Sequence, residues 1–503
     1  MAARIITDYL EAIAERLPEK TAYSDEERSL TFSGARLEAY HVAQALVENG
    51  WFHRPVAIWL DKSVSCITAM LGVAYSGNFY TVIDTGMPRA RIEKILSVLQ
   101  PAAIVTSRGY ADTVRDISRE AAVLTIEEMA ENEADRDRIL AVTKKIMTTD
   151  VLYVLFTSGS TGVPKGVVTQ HRALIDYMEA VTDAFALRED DIFGNQAPLY
   201  FVMSVVEVFS TLRNGSTMHI IPKSYFSFPA MLMKFLEEKK VTMLYWVPSA
   251  LVLLANLRAY EAADLSSIRQ IVFGGEVMPM RQLNMWRKAL PHVRFINGYG
   301  PTESTDGTTY YVVDRDFADN ETLPIGVPLD NIGILVLDEN NRQVSGSGMG
   351  ELCIYGPSIA CGYYGDPVRT ENVFTQNPLN PYYPEKIYHT GDLVRFNAYG
   401  ELEFAGRRDF QIKHLGHRIE LGEIEANVSS VPEIQENCCL YDMEKRRIVL
   451  YYTGDIDAGE LKARLENLLP EYMLPNRRIR LETMPHNLNG KIDRAELKNR
   501  LGR

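Results

Sequence analysis

The chain is short of cysteine and of positive charge, and it has no long apolar run. Its 503 residues include five cysteines, at positions 66, 353, 361, 438 and 439. These follow neither metal-ligand spacing nor a disulfide framework. They are expected to be reduced and mostly buried, as in a cytosolic protein. Lys and Arg number 53 against 66 Asp and Glu, a formal net charge of −13. That balance argues against nonspecific nucleic-acid binding, which relies on basic surface; a local basic patch stays open. The most apolar stretch, 241–257, is interrupted by Pro248, Ser249 and Asn256. It therefore reads as a buried strand plus a helix, and no membrane contact is expected. No apolar core with a small-residue cleavage site follows Met1, so a cytoplasmic location is expected. No internal repeat or low-complexity tract interrupts the chain.

What is present is ordinary globular material. Hydrophobic residues make up 46% and charged residues 24%, and the length is ample for a sizeable core in more than one domain. Short apolar runs alternate with amphipathic segments, which predicts an α/β fold. Tyr9, Ile13 and Leu17 recur every four residues and mark a helix. Residues 56–60, 102–106, 151–156 and 241–246 read as buried strands, and 231–240 as a helix. From about Pro324 short β-type runs alternate with Gly, Asn and Asp turns, which predicts a β-rich subdomain. A boundary is expected near Asp409. Residues 1–408 then form a large domain of mixed sheets with helices, and 409–503 a small α+β domain.

The most informative segment is Phe156-Thr-Ser-Gly-Ser-Thr-Gly-Val-Pro-Lys-Gly166. It follows a predicted strand and brings together hydroxyls, glycines and one lysine. Glycines let the backbone approach a ligand closely. Exposed N–H groups, hydroxyls and an ammonium suit an anion, most plausibly a polyphosphate. The spacing G-x-x-x-x-G-K-[ST] is absent, so this is not a P-loop.

Further motifs follow in order: Asn297-Gly-Tyr-Gly-Pro-Thr-Glu303, Tyr388-His-Thr-Gly-Asp392, Gly406-Arg-Arg-Asp-Phe-Gln-Ile-Lys413, Gly416-His-Arg-Ile-Glu-Leu-Gly-Glu-Ile-Glu425 and Asn489-Gly-Lys-Ile-Asp-Arg494. Together with the Gly/Ser/Thr loop these resemble the ANL superfamily of adenylate-forming enzymes. The nearer likeness is to amino-acid adenylation domains of nonribosomal peptide synthetases and to stand-alone D-alanyl carrier protein ligases.

The resemblance implies that a carboxylic acid and ATP give an acyl-adenylate and pyrophosphate, with Mg2+. The acyl group then passes to the phosphopantetheine thiol of an acidic carrier protein. An acyl- or aryl-CoA ligase, which would use the same adenylate, is the alternative. By the same resemblance Thr157, Ser158, Gly159, Ser160, Thr161, Gly162 and Lys165 hold the β- and γ-phosphates. Thr302 meets the α-phosphate and Glu303 the magnesium ion. Gly274, Gly275, Glu276, Asn297, Gly298, Tyr299 and Gly300 surround adenine, where Tyr299 offers a ring for stacking and Asn297 polar edge contacts. Asp392 and Arg407 take the ribose. Lys491 is the catalytic lysine, a point charge bridging carboxylate and α-phosphate. It lies in the small, mobile C-terminal domain, whose hinge is Asp409. Arg407, Arg408, Lys413, His414, His417 and Arg418 form a basic cluster suited to an acidic carrier.

The acyl pocket departs from the family pattern. The aspartate that pairs with an α-ammonium in amino-acid adenylation domains is replaced here by Val202. A buried ammonium facing valine would be an unpaired charge, costing several kcal/mol. Either the acid carries no ammonium at that point or another carboxylate receives it. Asp306 is the candidate, which would suit a β-amino acid or another displaced amine. Its competing reading is a solvent-facing or turn-capping residue. Met203, Val206, Tyr245, Val272, Gly274, Gly298 and Gly307 are expected to complete the pocket.

Overall fold

A computed structural model describes residues 3–159, 162–346, 348–487 and 492–501. The chain divides into two compact units. The first gathers Met1–Asp84, Gln100–Leu155 and Gly166–Arg408; the second gathers Thr85–Leu99, Phe156–Lys165 and Asp409–Arg503. The second unit thus draws in a helix and a loop from the first third of the sequence.

The first unit is built on three sheets. A nine-stranded sheet runs in the order Val327–Pro328, Thr309–Val312, Arg294–Tyr299, Gln270–Gly274, Met243–Trp246, Ile192–Asn195, Thr217–Ile220, Thr21–Ser24, Ser29–Thr31. Its centre is parallel, as expected where helical crossovers join apolar strands. A seven-stranded sheet runs Gly362–Tyr363, Lys165–Gln170, Val151–Thr157, Phe79–Ile83, Pro55–Trp59, Ala103–Thr106, Ala122–Thr125. Pro55–Trp59 and Phe79–Ile83 are buried at every position, which explains their unbroken apolar reading. The third sheet is antiparallel and holds Gly333–Leu337, Met349–Tyr355, Lys386–Phe396, Phe374–Gln376 and Leu402–Arg407; it is the β-rich portion foreseen after Pro324.

The expected helix near Tyr9 spans Thr7–Arg16, with Leu10, Ile13 and Ala14 on its buried face. The run 241–257 resolves into the strand Met243–Trp246 and the helix Pro248–Asn256. Among the described residues no helix is long and apolar enough to cross a membrane. All five cysteines are free, four of them buried and Cys361 half-buried.

The second unit has its own core. Ile419, Ile424, Val428, Leu450, Leu461 and Leu465 pack together there beneath a three-stranded sheet of Ile434–Asp442, Arg447–Gly454 and Arg477–Arg480. The hairpin Gln411–His414 and His417–Glu420 leads into the helix Leu421–Ser429.

One buried histidine gives the first unit a pH dependence. His171 is 1% exposed, and its Nδ1 accepts the Ile6 N–H at 3.2 Å. Burial, against a smaller opposing effect of Asp150, lowers its pKa from 6.5 to about 4. The folded chain therefore binds fewer protons than the unfolded chain in that window. The stability is fully present above the unfolded pKa and is lost as pH falls towards the folded one. The expected contribution is about 3 kcal/mol. Thermal midpoints measured from about pH 7.5 to 4.5 should fall less steeply in His171→Gln than in the wild type; parallel slopes would refute this.

Candidate functional site

The Gly/Ser/Thr loop joins two neighbouring strands, Val151–Thr157 and Lys165–Gln170. Ser158 is 2% exposed. Gly162 adopts φ +78°, and its N–H closes a turn onto the Gly159 carbonyl at 3.0 Å. Thr157 Oγ1 is buried with no hydrogen-bond partner among the described residues. Ser160, Thr161 and Lys491 lie outside the described residues.

Within the second unit this loop is met by charged side chains that the sequence did not single out. The Gly159 N–H donates to Glu423 Oε2 at 3.2 Å. Glu423, in the first turn of Leu421–Ser429, pairs through Oε1 with Arg91. Both side chains are buried, 2% and 5% exposed. Lys94 donates to the Gly162 carbonyl at 3.1 Å and to Asn427 Oδ1 at 3.2 Å. The Gly159 amide, expected to meet a phosphate, donates here to a protein carboxylate. Arg91 and Lys94 belong to none of the motifs read from the sequence.

The residues expected at magnesium, adenine and ribose lie in the first unit. The strand Arg294–Tyr299 is followed by the short turn Thr302–Ser304. Thr302 is 6% exposed and Glu303 fully buried. Glu303 Oε1 accepts the Tyr363 hydroxyl at 2.7 Å. One oriented carboxylate is the kind of hard-oxygen ligand that Mg2+ uses together with substrate phosphates, so the donor chemistry fits that ion. Tyr363 carried no motif signal.

Asp392 and Arg407 stand opposite each other on paired strands and form an ion pair, 3% and 10% exposed. Arg407 also donates to the Thr390 carbonyl at 3.1 Å. The Tyr299 hydroxyl donates to Asp392; burial, then the Asp392 charge, hold that phenol well above its ordinary pKa. Tyr299 is 6% exposed, so its visible contribution is to orient Asp392. Asn297 gives its amide to the Pro324 carbonyl at 2.8 Å, and Glu276 Oε2 accepts the Ser249 N–H at 2.9 Å. Gly274 lies opposite Gly298 in register, and Gly275 adopts φ +86°.

Asp306 does not face solvent. It is 4% exposed, and its Oδ2 accepts the hydroxyls of Tyr177 at 3.0 Å and Tyr245 at 2.8 Å. Both phenols are pushed well above their ordinary pKa, by burial first and then by the Asp306 carboxylate. Asp306 adopts φ +89°, uncommon for a residue with a side chain. Gly300 sits so close that a Cβ there would lie 1.6 Å from the Asp306 carbonyl oxygen, and a Cβ on Gly307 would lie 2.8 Å from the Tyr177 hydroxyl. Val202, Met203, Val206 and Val272 are buried apolar neighbours in the same core as Tyr177 and Tyr245. Another carboxylate, Glu207, is fully buried on the helix Ser204–Asn214. It is bonded to Asn195 and pushed towards its neutral form by burial, against the opposing pull of Asn195 and Lys62.

The expected basic cluster is divided. Arg407 serves Asp392, and Arg408 donates to Glu351 at 2.9 Å. On the hairpin of the second unit His417 stacks on Tyr472 at 3.6 Å, and Arg418 donates to Gln411 at 2.6 Å. Arg407, Arg408, His417 and Arg418 each have a partner within their own unit.

The chain is similar to known proteins along most of its length. The model of the AMP-binding enzyme family matches residues 10–364. Tyrocidine synthase 1 of Brevibacillus parabrevis is 31% identical over 98% of this chain and 44% of its own length. The chain spans less than half the length of the curated relatives it matches. Among solved structures, the Vibrio cholerae adenylation domain AlmE in complex with glycyl-adenosine-5′-phosphate superposes with a TM-score of 0.84 at 21% identity, over 100% of this chain and 98% of that one. An artificially fused adenylation–PCP di-domain from Klebsiella oxytoca gives 0.82 at 22% identity, over 96% and 95%.

The Arg91–Glu423 pair makes a stability prediction. Arg91→Met leaves a buried carboxylate without its cation and should destabilise the second unit by about 3–5 kcal/mol in denaturant unfolding. Arg91→Met with Glu423→Gln should recover most of that loss. Additive losses would show that the two side chains are not coupled.

Proposed function

The chain belongs to the AMP-binding enzyme family of AMP-forming ligases, and from that premise we propose that it activates an amine-bearing carboxylic acid with ATP and loads it onto a carrier protein. The proposed acid holds its amine away from the usual α-position, as in a β-amino acid. The observation that carries this reading is the buried Asp306 carboxylate, braced by Tyr177 and Tyr245, in a chain that has Val202 in place of the usual amine-binding aspartate. Low dielectric strengthens a carboxylate–ammonium contact at such a point. The names of the similar proteins, an adenylation domain with an aminoacyl-adenylate and an adenylation–PCP di-domain, agree with an amino acid and a carrier protein.

In the proposed reaction an oxygen of the substrate carboxylate attacks the α-phosphorus of ATP. The bond to the bridging oxygen breaks, and pyrophosphate leaves. Thr157, Ser158, Gly159, Gly162 and Lys165, with Ser160 and Thr161, hold the departing phosphates. Thr302 steadies the α-phosphate. Glu303 would hold a magnesium ion, which would supply positive charge against the phosphates. Asp392 and Arg407 take the ribose hydroxyls, while Tyr299, Asn297 and the 274–276 segment bound the base. Lys491 bridges the attacking carboxylate and the α-phosphate oxygen. In this reading residues 409–503 then rotate about Asp409. A carrier thiol, after losing its proton, attacks the acyl carbon, and AMP leaves as the thioester forms.

The test is ATP–pyrophosphate exchange against α-amino, β-amino, hydroxy, keto, aryl and fatty acids, with wild type and Asp306→Asn. Exchange is expected only with amine-bearing acids. Asp306→Asn should lower kcat/KM for them by roughly 30-fold or more, the loss of about 2 kcal/mol from a buried charge pair. Exchange with amine-free acids that is indifferent to Asp306→Asn would overturn the amine assignment. Acyl transfer to free CoA in preference to a carrier protein would favour the CoA-ligase alternative.

A further inference from the structure

The antiparallel sheet of the first unit carries a polar cluster that the reaction above does not use. Glu351 and Cys353 are two residues apart on Met349–Tyr355 and share a face. His389 lies opposite Cys353 in register on Lys386–Phe396. Donor atoms of these three residues all lie within 4.8 Å of one another, a set that in principle suits a borderline metal. Two observations argue against that reading. The Arg408 guanidinium already sits 2.9 Å from Glu351 Oε2, where a cation would need the carboxylate. Burial, aided by the Glu351 charge, pushes the Cys353 thiol well above its ordinary pKa, so it is held as the thiol.

The Glu351 contacts converge instead on the residues next to the Asp392–Arg407 pair. Glu351 is 7% exposed. Its Oε1 accepts the N–H of Gly391 at 2.9 Å, and its Oε2 accepts from Arg408 at 2.9 Å and lies 3.2 Å from His389 Nδ1. Gly391 precedes Asp392, and Arg408 follows Arg407. The Arg408 N–H in turn donates to the Gly391 carbonyl at 2.9 Å. One carboxylate therefore ties together the backbone before the aspartate and the side chain after the arginine. A register irregularity follows at Leu393/Val394 in the same strand pair, where ladder pairing alone fixes the backbone less firmly. Burial would raise the Glu351 pKa, but the bonds from His389 and Gly391 and the nearby charges outweigh it and hold the group below its ordinary range. It is the ionised form that these contacts favour.

We propose that Glu351 is a positioning residue for the nucleotide ribose: it fixes Asp392 and Arg407 by holding Gly391 and Arg408. This rests on the reading that Asp392 and Arg407 take the ribose hydroxyls. Glu351 acts through its neighbours and not on the nucleotide, so its removal should blur recognition of the hydroxyls and leave recognition of the acid unchanged.

The experiment compares ATP with 2′,3′-dideoxy-ATP in pyrophosphate exchange, using the full chain and the best acid of the panel above. The wild type should prefer ATP in kcat/KM by roughly 100-fold, because a site built to pair hydroxyls rejects an analogue lacking them. Glu351→Gln keeps an acceptor for Gly391 but loses the charge that holds Arg408. It should cut that preference about ten-fold, through a higher KM for ATP, with the dideoxy reaction and the KM for the acid unchanged. Arg408→Met, which approaches the same brace from its other end, should shift the preference in the same direction and serves if Glu351→Gln fails to fold. A wild-type preference that survives both substitutions overturns the positioning role, as does an equal loss with both nucleotides, which marks a merely structural residue. A wild type that never distinguishes the two nucleotides overturns the ribose reading itself.

Discussion

A carboxylate taken out of water is stable only if its oxygens are hydrogen-bonded or paired with a cation, and most of the site chemistry of this chain follows from meeting that condition. Glu303 is met by the Tyr363 hydroxyl, Asp306 by two tyrosines, Asp392 by Arg407 and Tyr299, Glu351 by Arg408 and a backbone amide, and Glu423 by Arg91 and the Gly159 amide. The partners differ, and the differences sort the acids by task. The two phenols on Asp306 donate hydrogen bonds and bring no positive charge. A guanidinium on Asp392 or Glu423 neutralises charge and fixes geometry.

The sequence revealed best those parts whose chemistry is written in consecutive residues. The Gly/Ser/Thr loop, the Tyr-Gly-Pro-Thr-Glu segment and the buried strands need local residue types, and the structure has a loop, a turn and strands at those places. The partners were hidden because each comes from a distant part of the chain. Tyr177 lies 129 residues before Asp306, and Arg91 lies 332 residues before Glu423. A tyrosine on an apolar helix face reads as core, and Tyr177 is core; only the tertiary fold turns its hydroxyl onto an acid. Asp306 shows the same limit from the other side. Its residue type allowed a solvent-facing or turn-capping residue beside a pocket residue, and the structure shows it buried against two tyrosines.

The phosphate loop illustrates why chemistry was more legible than conformation. Glycines and hydroxyls predict affinity for an anion but do not say which anion is held. In this structure one loop amide is held by Glu423, so a nucleotide phosphate and a protein carboxylate present the same kind of partner to the same N–H. The ANL resemblance supplied the expected ligand, whereas the fold shows an internal group able to stand in for it.

The close approach of Gly300 to the Asp306 carbonyl, with Asp306 itself at positive φ, limits how such a pocket can be retargeted. Glycine, asparagine and aspartate tolerate that backbone conformation, whereas β-branched residues resist it. An evolving or engineered variant therefore has a narrow set of residues to choose from at position 306. In the proposed reading, new acids are reached more readily by changing Val202, Met203 or Val206, which share a core with Tyr177 and Tyr245, than by replacing Asp306. Gly300 and Asp306 approach backbone to backbone and would share any strain, so in the proposed reading changes in acid preference there should also alter the handling of ATP.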